Sequence, residues 1–127
     1  MFAARSARAT YQNVAVSTQT DQASPHRLIE LLYEELLASL RQASLATAAG
    51  NFAAKSANVS RALGVLNGLE SSLDFERGGE VAKTLLDAYR FATRNILAGN
   101  GENDPARFDE AVRVMGEIAD AWRQIRP

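Results

Sequence analysis

The sequence predicts an all-α protein, an antiparallel up-down-up-down four-helix bundle preceded by an N-terminal arm. Three observations point there. Of 127 residues, 23 are Ala and 14 are Leu, while β-branched and aromatic residues are sparse, a bias that favours helices over strands. Apolar residues recur at helical spacing, and capping signals divide the chain into four long segments joined by short links. Short links make sequential helices antiparallel neighbours. The length is that of one domain, residues 1–127, read as a flexible arm over 1–22 and a bundle over 24–127.

The arm holds Arg5 and Arg8 and, through Thr20, no acid, with many Ala, Ser and Thr. This composition fits an organelle transit peptide or a loose terminus. Tyr11, Val14 and Val16 form an apolar cluster within it. Ser24-Pro25 opens the first helix, because the Ser hydroxyl accepts an orphan N–H and proline at the first position has none to lose. That helix is expected to run to Gly50, and Asn51 to cap a second that continues through Leu73 to Gly78-Gly79, read as a tight interhelical turn. A third begins near Glu80 and stops at Gly99-Asn100-Gly101. Asp104-Pro105 repeats the start signal and opens a fourth, ending with the cations Arg123 and Arg126 at the negative end of the helix dipole. Each helix is about 30 to 37 Å long at 1.5 Å per residue.

Composition excludes several function classes. Fourteen Lys and Arg against 15 Asp and Glu give a net charge of −1, which argues against an ordinary basic nucleic-acid binder. With no cysteine, thiolate catalysis, disulfides and Cys-based metal sites are absent, and a reducing cytoplasm suits the chain. No apolar run approaches the roughly 18 residues that cross a bilayer, so no membrane insertion is expected. The single histidine, His26, lies in a helix's first turn, where a solvated imidazole is usual. A di-iron bundle needs two Glu-x-x-His pairs facing inward, and one histidine cannot supply them. No H-E-x-x-H, phosphate-binding Gly loop or G-x-S-x-G occurs. Glu34 and Glu35 point about 100° apart on a helix and read as solvated surface. Arg90 and Arg94 form at most a small basic ridge near Asp87. No enzyme, metal or cofactor is expected.

What remains is surface. The first helix places Leu28, Ile29, Leu32, Tyr33, Leu36, Leu37, Leu40 and Ala43 in one arc of about 180°. The third spreads Val81, Ala82, Leu85, Leu86, Tyr89, Ala92, Ile96 and Leu97 over about 160°. An outer helix needs an apolar stripe of only about 100° or more. The surplus is either flanking core or a groove for amphipathic helices from a partner. Trp122, with Ile118 and Ile125, reads as core on the fourth helix.

The run Ala23-Ser24-Pro25-His26-Arg27-Leu28-Ile29-Glu30-Leu31-Leu32-Tyr33, followed by Gly78-Gly79-Glu80, Tyr89-Arg90-Phe91, Gly99-Asn100 and Ala121-Trp122-Arg123, closely resembles the flagellin-specific export chaperones, the FliS family. The resemblance covers nearly the whole chain, from about Tyr11 to Ile125. It implies a bacterial, cytoplasmic chaperone that binds the disordered C-terminal segment of flagellin, prevents premature polymerisation and presents flagellin to the flagellar type III export gate. It also implies a part for Tyr11 in handing over the complex. The chain departs from the family pattern at Arg8, where relatives carry an apolar residue, and at Glu35, where a small residue is common. An acidic side chain at 35 narrows or redirects a groove there.

The expected flagellin-binding residues are Ile29, Tyr33 and Leu37 on the first helix and Leu86, Tyr89 and Leu97 on the third. Tyr11 and Val14 are expected to cover the same groove as a removable lid, or to serve the export gate. A homo-oligomer is possible. The alternative reading is a non-catalytic, self-associating bundle or adaptor without flagellin specificity.

Overall fold

The computed structural model describes residues 1–14 and 23–125; Val16 and Arg126 therefore lie outside the described residues. The protein is all-helical, with five helices in order: α1 (Ala4–Val14), α2 (Pro25–Ala48), α3 (Phe52–Ser71), α4 (Phe75–Glu102) and α5 (Pro105–Gln124). Among the described residues there is no strand, only an isolated bridge pairing Phe2 with Leu73.

Within the stretch read as an arm, Ala4–Val14 form a helix. Ala7 and Tyr11, four residues apart, fall on one face and are buried. That spacing carries a helix signal, but eleven residues are too few to hold a helix in water. The packing of α1 against α2 and α3 supplies what is missing.

The predicted starts of α2, α3 and α5 hold. Ser24 accepts from the Arg27 amide at 3.1 Å, Asn51 from Ala54 at 3.1 Å and Asp104 from Ala106 at 3.0 Å. The α3–α4 boundary differs from the reading. α3 ends at Ser71, and Asp74 caps α4 through the amides of Glu76 and Arg77. Gly79 is a kink inside α4, at φ 49° and ψ −124°, a conformation open to glycine but strained for other residues. The apolar Leu73, expected inside a helix, is instead the buried middle of the link. α4 also runs past Gly99, which lets the helix approach Phe108: a Cβ there would lie 3.1 Å from its ring. The helix stops at Asn103, which adopts the left-handed conformation at φ 52°.

α2 packs against α1, α3 and α5, while α4 packs against α5 and less extensively against α3. This explains the width of the α2 arc, since three neighbouring helices need a broad apolar face. The largest fully buried side chains come from α2, α3, α4 and α5 alike, among them Leu32, Leu66, Tyr89 and Phe108.

Candidate functional site: the covered apolar clefts

The nominated residues separate once their burial is known. Ile29, Tyr33, Leu37 and Tyr89 are buried, Leu86 is partly buried against the core, and Leu97 is exposed at 53%. Tyr33 and Tyr89 meet across the core with their hydroxyls 2.6 Å apart. Burial pushes both phenols far above their ordinary range, and for Tyr89 the neighbouring Tyr33 adds to the effect. These two residues are an internal polar tie between α2 and α4 in the free chain, not an open surface.

The apolar relief lies where the chain covers itself. The start of α2 and the end of α5 border a cleft of about 250 Å³ lined by Met1, Phe2, Pro25, His26, Ile29, Trp122 and Ile125. A second, almost wholly apolar cleft of about 160 Å³ is lined by Met1, Tyr33, Val81, Leu85, Ile118, Ala121, Trp122 and Ile125. Met1 and Trp122 border both. Thus Ile29 borders the first cleft beside Met1 and Phe2, and Tyr33 borders the second beside Met1, while Tyr11 and Val14 border neither.

Short polar contacts hold this cover in place. The Asp74 amide donates to the Met1 carbonyl at 2.5 Å, and the Ala3 amide donates to Ser72 at 2.6 Å. The Phe2 ring stands edge-on to Trp122, centroids 5.4 Å apart, and the Trp122 indole stacks on His26 at 4.6 Å. The indole N–H donates to the His26 carbonyl at 3.0 Å. His26 is therefore half-buried in an aromatic stack rather than solvated, and Trp122 is cleft wall as well as core neighbour.

Beyond Ala3, α1 continues the cover along α3. A Cβ added to Gly68 would lie 2.2 Å from the Thr10 side chain, and one added to Gly64 would lie 3.8 Å from Val14. Tyr11 is buried at 6% exposure, and Val14 packs partly buried against the core. Arg8 donates to the Ala23 carbonyl at 3.0 Å, and Arg61 donates to the Val14 carbonyl at 2.7 Å while pairing with Glu35. Glu35 is thus half-buried in an ion pair beside α1, and not merely solvated. Arg90, read as part of a basic ridge, pairs with Glu70 at 3.6 Å.

The cover contributed by Met1 and Phe2 was missed because residue type alone gives them no surface to lie on. Their signal is an apolar pair just ahead of an Ala-rich amphipathic segment. Among the described residues, no group of three or more His, Cys, Asp or Glu is placed to hold a metal. No described helix is long and apolar enough to cross a membrane.

Apolar clefts bordered by a chain's own N-terminal residues are the kind of relief that binding modules present. Comparison with known proteins makes the class specific. Residues 7–127 match the family model of the flagellar protein FliS. The chain is 37% identical over 118 residues to the flagellar secretion chaperone FliS of Salmonella typhimurium, covering 92% of this chain and 87% of that one. It is 35% identical to FliS of Vibrio cholerae over 117 residues, 92% and 86% of the two chains. It is also 35% identical to FliSB of Pseudomonas aeruginosa over 112 residues, 88% and 89%. The chain belongs to the FliS family of flagellar secretion chaperones, and it is not an enzyme.

Proposed function

We propose that this chain is a cytoplasmic export chaperone for flagellin. It binds the disordered C-terminal segment of flagellin, keeps that segment from polymerising early, and delivers it to the flagellar type III export gate. The observation that carries this reading is the N-terminal segment: Met1 and Phe2 border apolar clefts, and the amphipathic α1 lies on α2 and α3, apolar surface of the kind a client's amphipathic helix can take. We read α2–α5 as an antiparallel up-down-up-down four-helix bundle beneath that segment. Ser44 of α2 meets Asp109 near the start of α5, whereas His26 at the start of α2 meets Trp122 near the end of α5.

Of the nominated contacts, Ile29 and Tyr33 become accessible to a client when Met1 and Phe2 leave, and Leu97 already faces outward. Leu37, Leu86 and Tyr89 support the walls behind them. Folding the client segment as it docks costs on the order of 2 to 5 kcal/mol, which the newly buried apolar surface must exceed.

Calorimetry with full-length flagellin and with flagellin lacking its last few dozen residues tests the assignment. Saturable binding is expected for the first and none for the second. Equal binding to both rejects it, and a stable homo-oligomer that ignores flagellin favours self-association instead. For Tyr11→Ala, flagellin capture is expected to persist while export in cells falls. Loss of capture contradicts that division of roles.

A further inference from the structure

The end of α4 combines two features that the client-binding reading leaves unused, a buried lysine and an asparagine followed by glycine. The sequence holds two Asn-Gly pairs, Asn67-Gly68 and Asn100-Gly101. In such a pair the nitrogen of the following peptide can attack the asparagine side-chain carbon. Glycine, lacking a Cβ, leaves that nitrogen open and the backbone free to turn toward it. The fold treats the two pairs differently. Gly68 lies against α1, where an added Cβ would meet the Thr10 side chain at 2.2 Å. The Gly68 carbonyl is held as well, by the Ser72 amide at 3.0 Å and the Ser72 hydroxyl at 2.7 Å. Asn100-Gly101 instead sits in the last turn of α4, which ends at Glu102. Gly101 is exposed, and a Cβ there would meet nothing within 4 Å. Helix ends open at far less cost than a packed interior.

Lys55 acts on the same peptide group. Carbonyls of a final helical turn lack an intrahelical partner, and the Asn100 carbonyl takes its hydrogen bond from the buried Lys55 ammonium at 3.0 Å. That carbonyl and the Gly101 nitrogen share one resonant peptide bond, so a cation on the oxygen draws electron density from the nitrogen and makes its proton easier to lose. The ammonium also offsets the negative end of the α4 dipole, which by itself opposes an anion there. The side-chain donor to the Asn67 carbonyl is only the neutral Ser71 hydroxyl, at 2.8 Å.

We propose that Asn100 is a site of spontaneous deamidation promoted by Lys55, and that Asn67 is protected from it. The Gly101 nitrogen, having given its proton to hydroxide, bonds to the Asn100 side-chain carbon. The bond to Nδ2 breaks, and that nitrogen leaves as ammonia after taking a proton from water. Water then opens the cyclic imide at either carbonyl, giving aspartate or isoaspartate, so the balance is one water consumed and one ammonia released. In the isoaspartate product the main-chain carbonyl that Lys55 holds becomes a free carboxylate, and the main chain gains a methylene before Gly101. The spacing to the second acceptor of Lys55, Asn103 Oδ1 at 2.7 Å, is then lost.

The unaltered full-length protein tests the site without any variant. After incubation at neutral pH and physiological temperature, peptide mass spectrometry is expected to show carboxyl in place of amide at Asn100 about tenfold faster than at Asn67. The Asn100 rate is expected to rise with pH, because the attacking nitrogen is the deprotonated one, and an isoaspartate methyltransferase is expected to label the product. In urea the two rates are expected to converge. Lys55→Met is expected to slow Asn100 about tenfold, the effect of one pKa unit on the amide, whereas Lys55→Arg keeps the cation and most of the rate. Equal rates in the folded protein, or an Asn100 that converts only in urea, overturn the assignment. An unchanged or faster rate in Lys55→Met overturns the part given to Lys55.

Discussion

The α2–α3 and α4–α5 links and the N-terminal clefts close the same helices by opposite means. At the links, Lys55 is buried and its ammonium donates to the Asn100 carbonyl at 3.0 Å and to Asn103 at 2.7 Å, while Ser44 donates to Asp109 at 2.7 Å. Lys55 is buried, so a foreign segment displacing its partners would leave a buried donor unpaired, at about 1–3 kcal/mol. Around Trp122, apolar side chains of the N-terminal segment lie over open clefts, with a few main-chain bonds holding the segment down. Apolar contact is non-directional, so another chain can replace it. Polar closure makes a site exclusive, and apolar closure by a terminal segment leaves it exchangeable.

Removing residues 1–14 breaks that contrast most directly. It uncovers the clefts and deletes the burial of Phe2, Ala7, Tyr11 and Val14. At about 1.5–3 kcal/mol for a fully buried large side chain, and less for those only partly covered, urea denaturation is expected to show a loss of about 3–5 kcal/mol. A fluorescent probe of apolar surface should bind more strongly, while the far-UV spectrum stays helical. A truncated chain as stable as the original would mean that the cover contributes nothing to the fold.

The next effect in size belongs to the tyrosine tie. Tyr89→Phe leaves one buried hydroxyl without its partner and is expected to cost about 1–3 kcal/mol, whereas replacing both tyrosines by Phe recovers part of the loss. Tyr33→Asp or Tyr89→Asp should unfold the chain rather than merely weaken client capture, because the carboxylate is buried. Folding raises both phenols above their ordinary value of 10.0. Their contribution is therefore fully present below that pH and declines as pH rises beyond it, since the unfolded chain ionises first. The double Phe variant should lose less stability between neutral and strongly alkaline pH, measured by urea titration at each pH. An equal slope would place both hydroxyls in water.

Lys55→Ala sharpens the comparison from the polar side. Loss of two hydrogen bonds to the end of α4 is expected to destabilise by about 1–3 kcal/mol, yet flagellin affinity measured by calorimetry should be unchanged. Reduced affinity would extend the client surface to the links. The smallest effect is expected at Glu110, whose carboxylate the Arg113 hydrogen bond holds below its ordinary range. Its contribution is present above the ordinary carboxylate pKa and lost as pH falls through the lowered one. The pair is fully exposed, so solvent screening keeps the loss close to the noise of an acid titration.

The four long helices and most of their caps were legible in the residues because these are local matters, whereas α1 was read as part of an arm. Ser24-Pro25, Asn51 and Asp104-Pro105 each place a side-chain acceptor beside amides two or three positions on, and no distant contact is needed to complete the geometry. The α3–α4 boundary was not legible, because a glycine pair reads equally as turn or kink, and the choice fell to Leu73 and the residues it packs with. The resemblance to the FliS family was likewise carried by short motifs such as the run from Ala23 to Tyr33.

The candidate site was legible only in part. The breadth of the apolar face of α2 was legible, but periodicity could not say which neighbour covers which edge, so Tyr89 looked as available as Leu97. The clefts beside Met1 and Phe2, the Tyr33–Tyr89 tie and the Arg61–Glu35 pair all join residues far apart in sequence. By itself the sequence determined the four long helices, the capping residues of α2, α3 and α5 and the amount of apolar surface to be enclosed, since these follow from the spacing and type of nearby residues. Only the tertiary structure decided which surface is enclosed by the long helices and which is met by the N-terminal segment, because that depends on long-range packing among residues whose local patterns are the same.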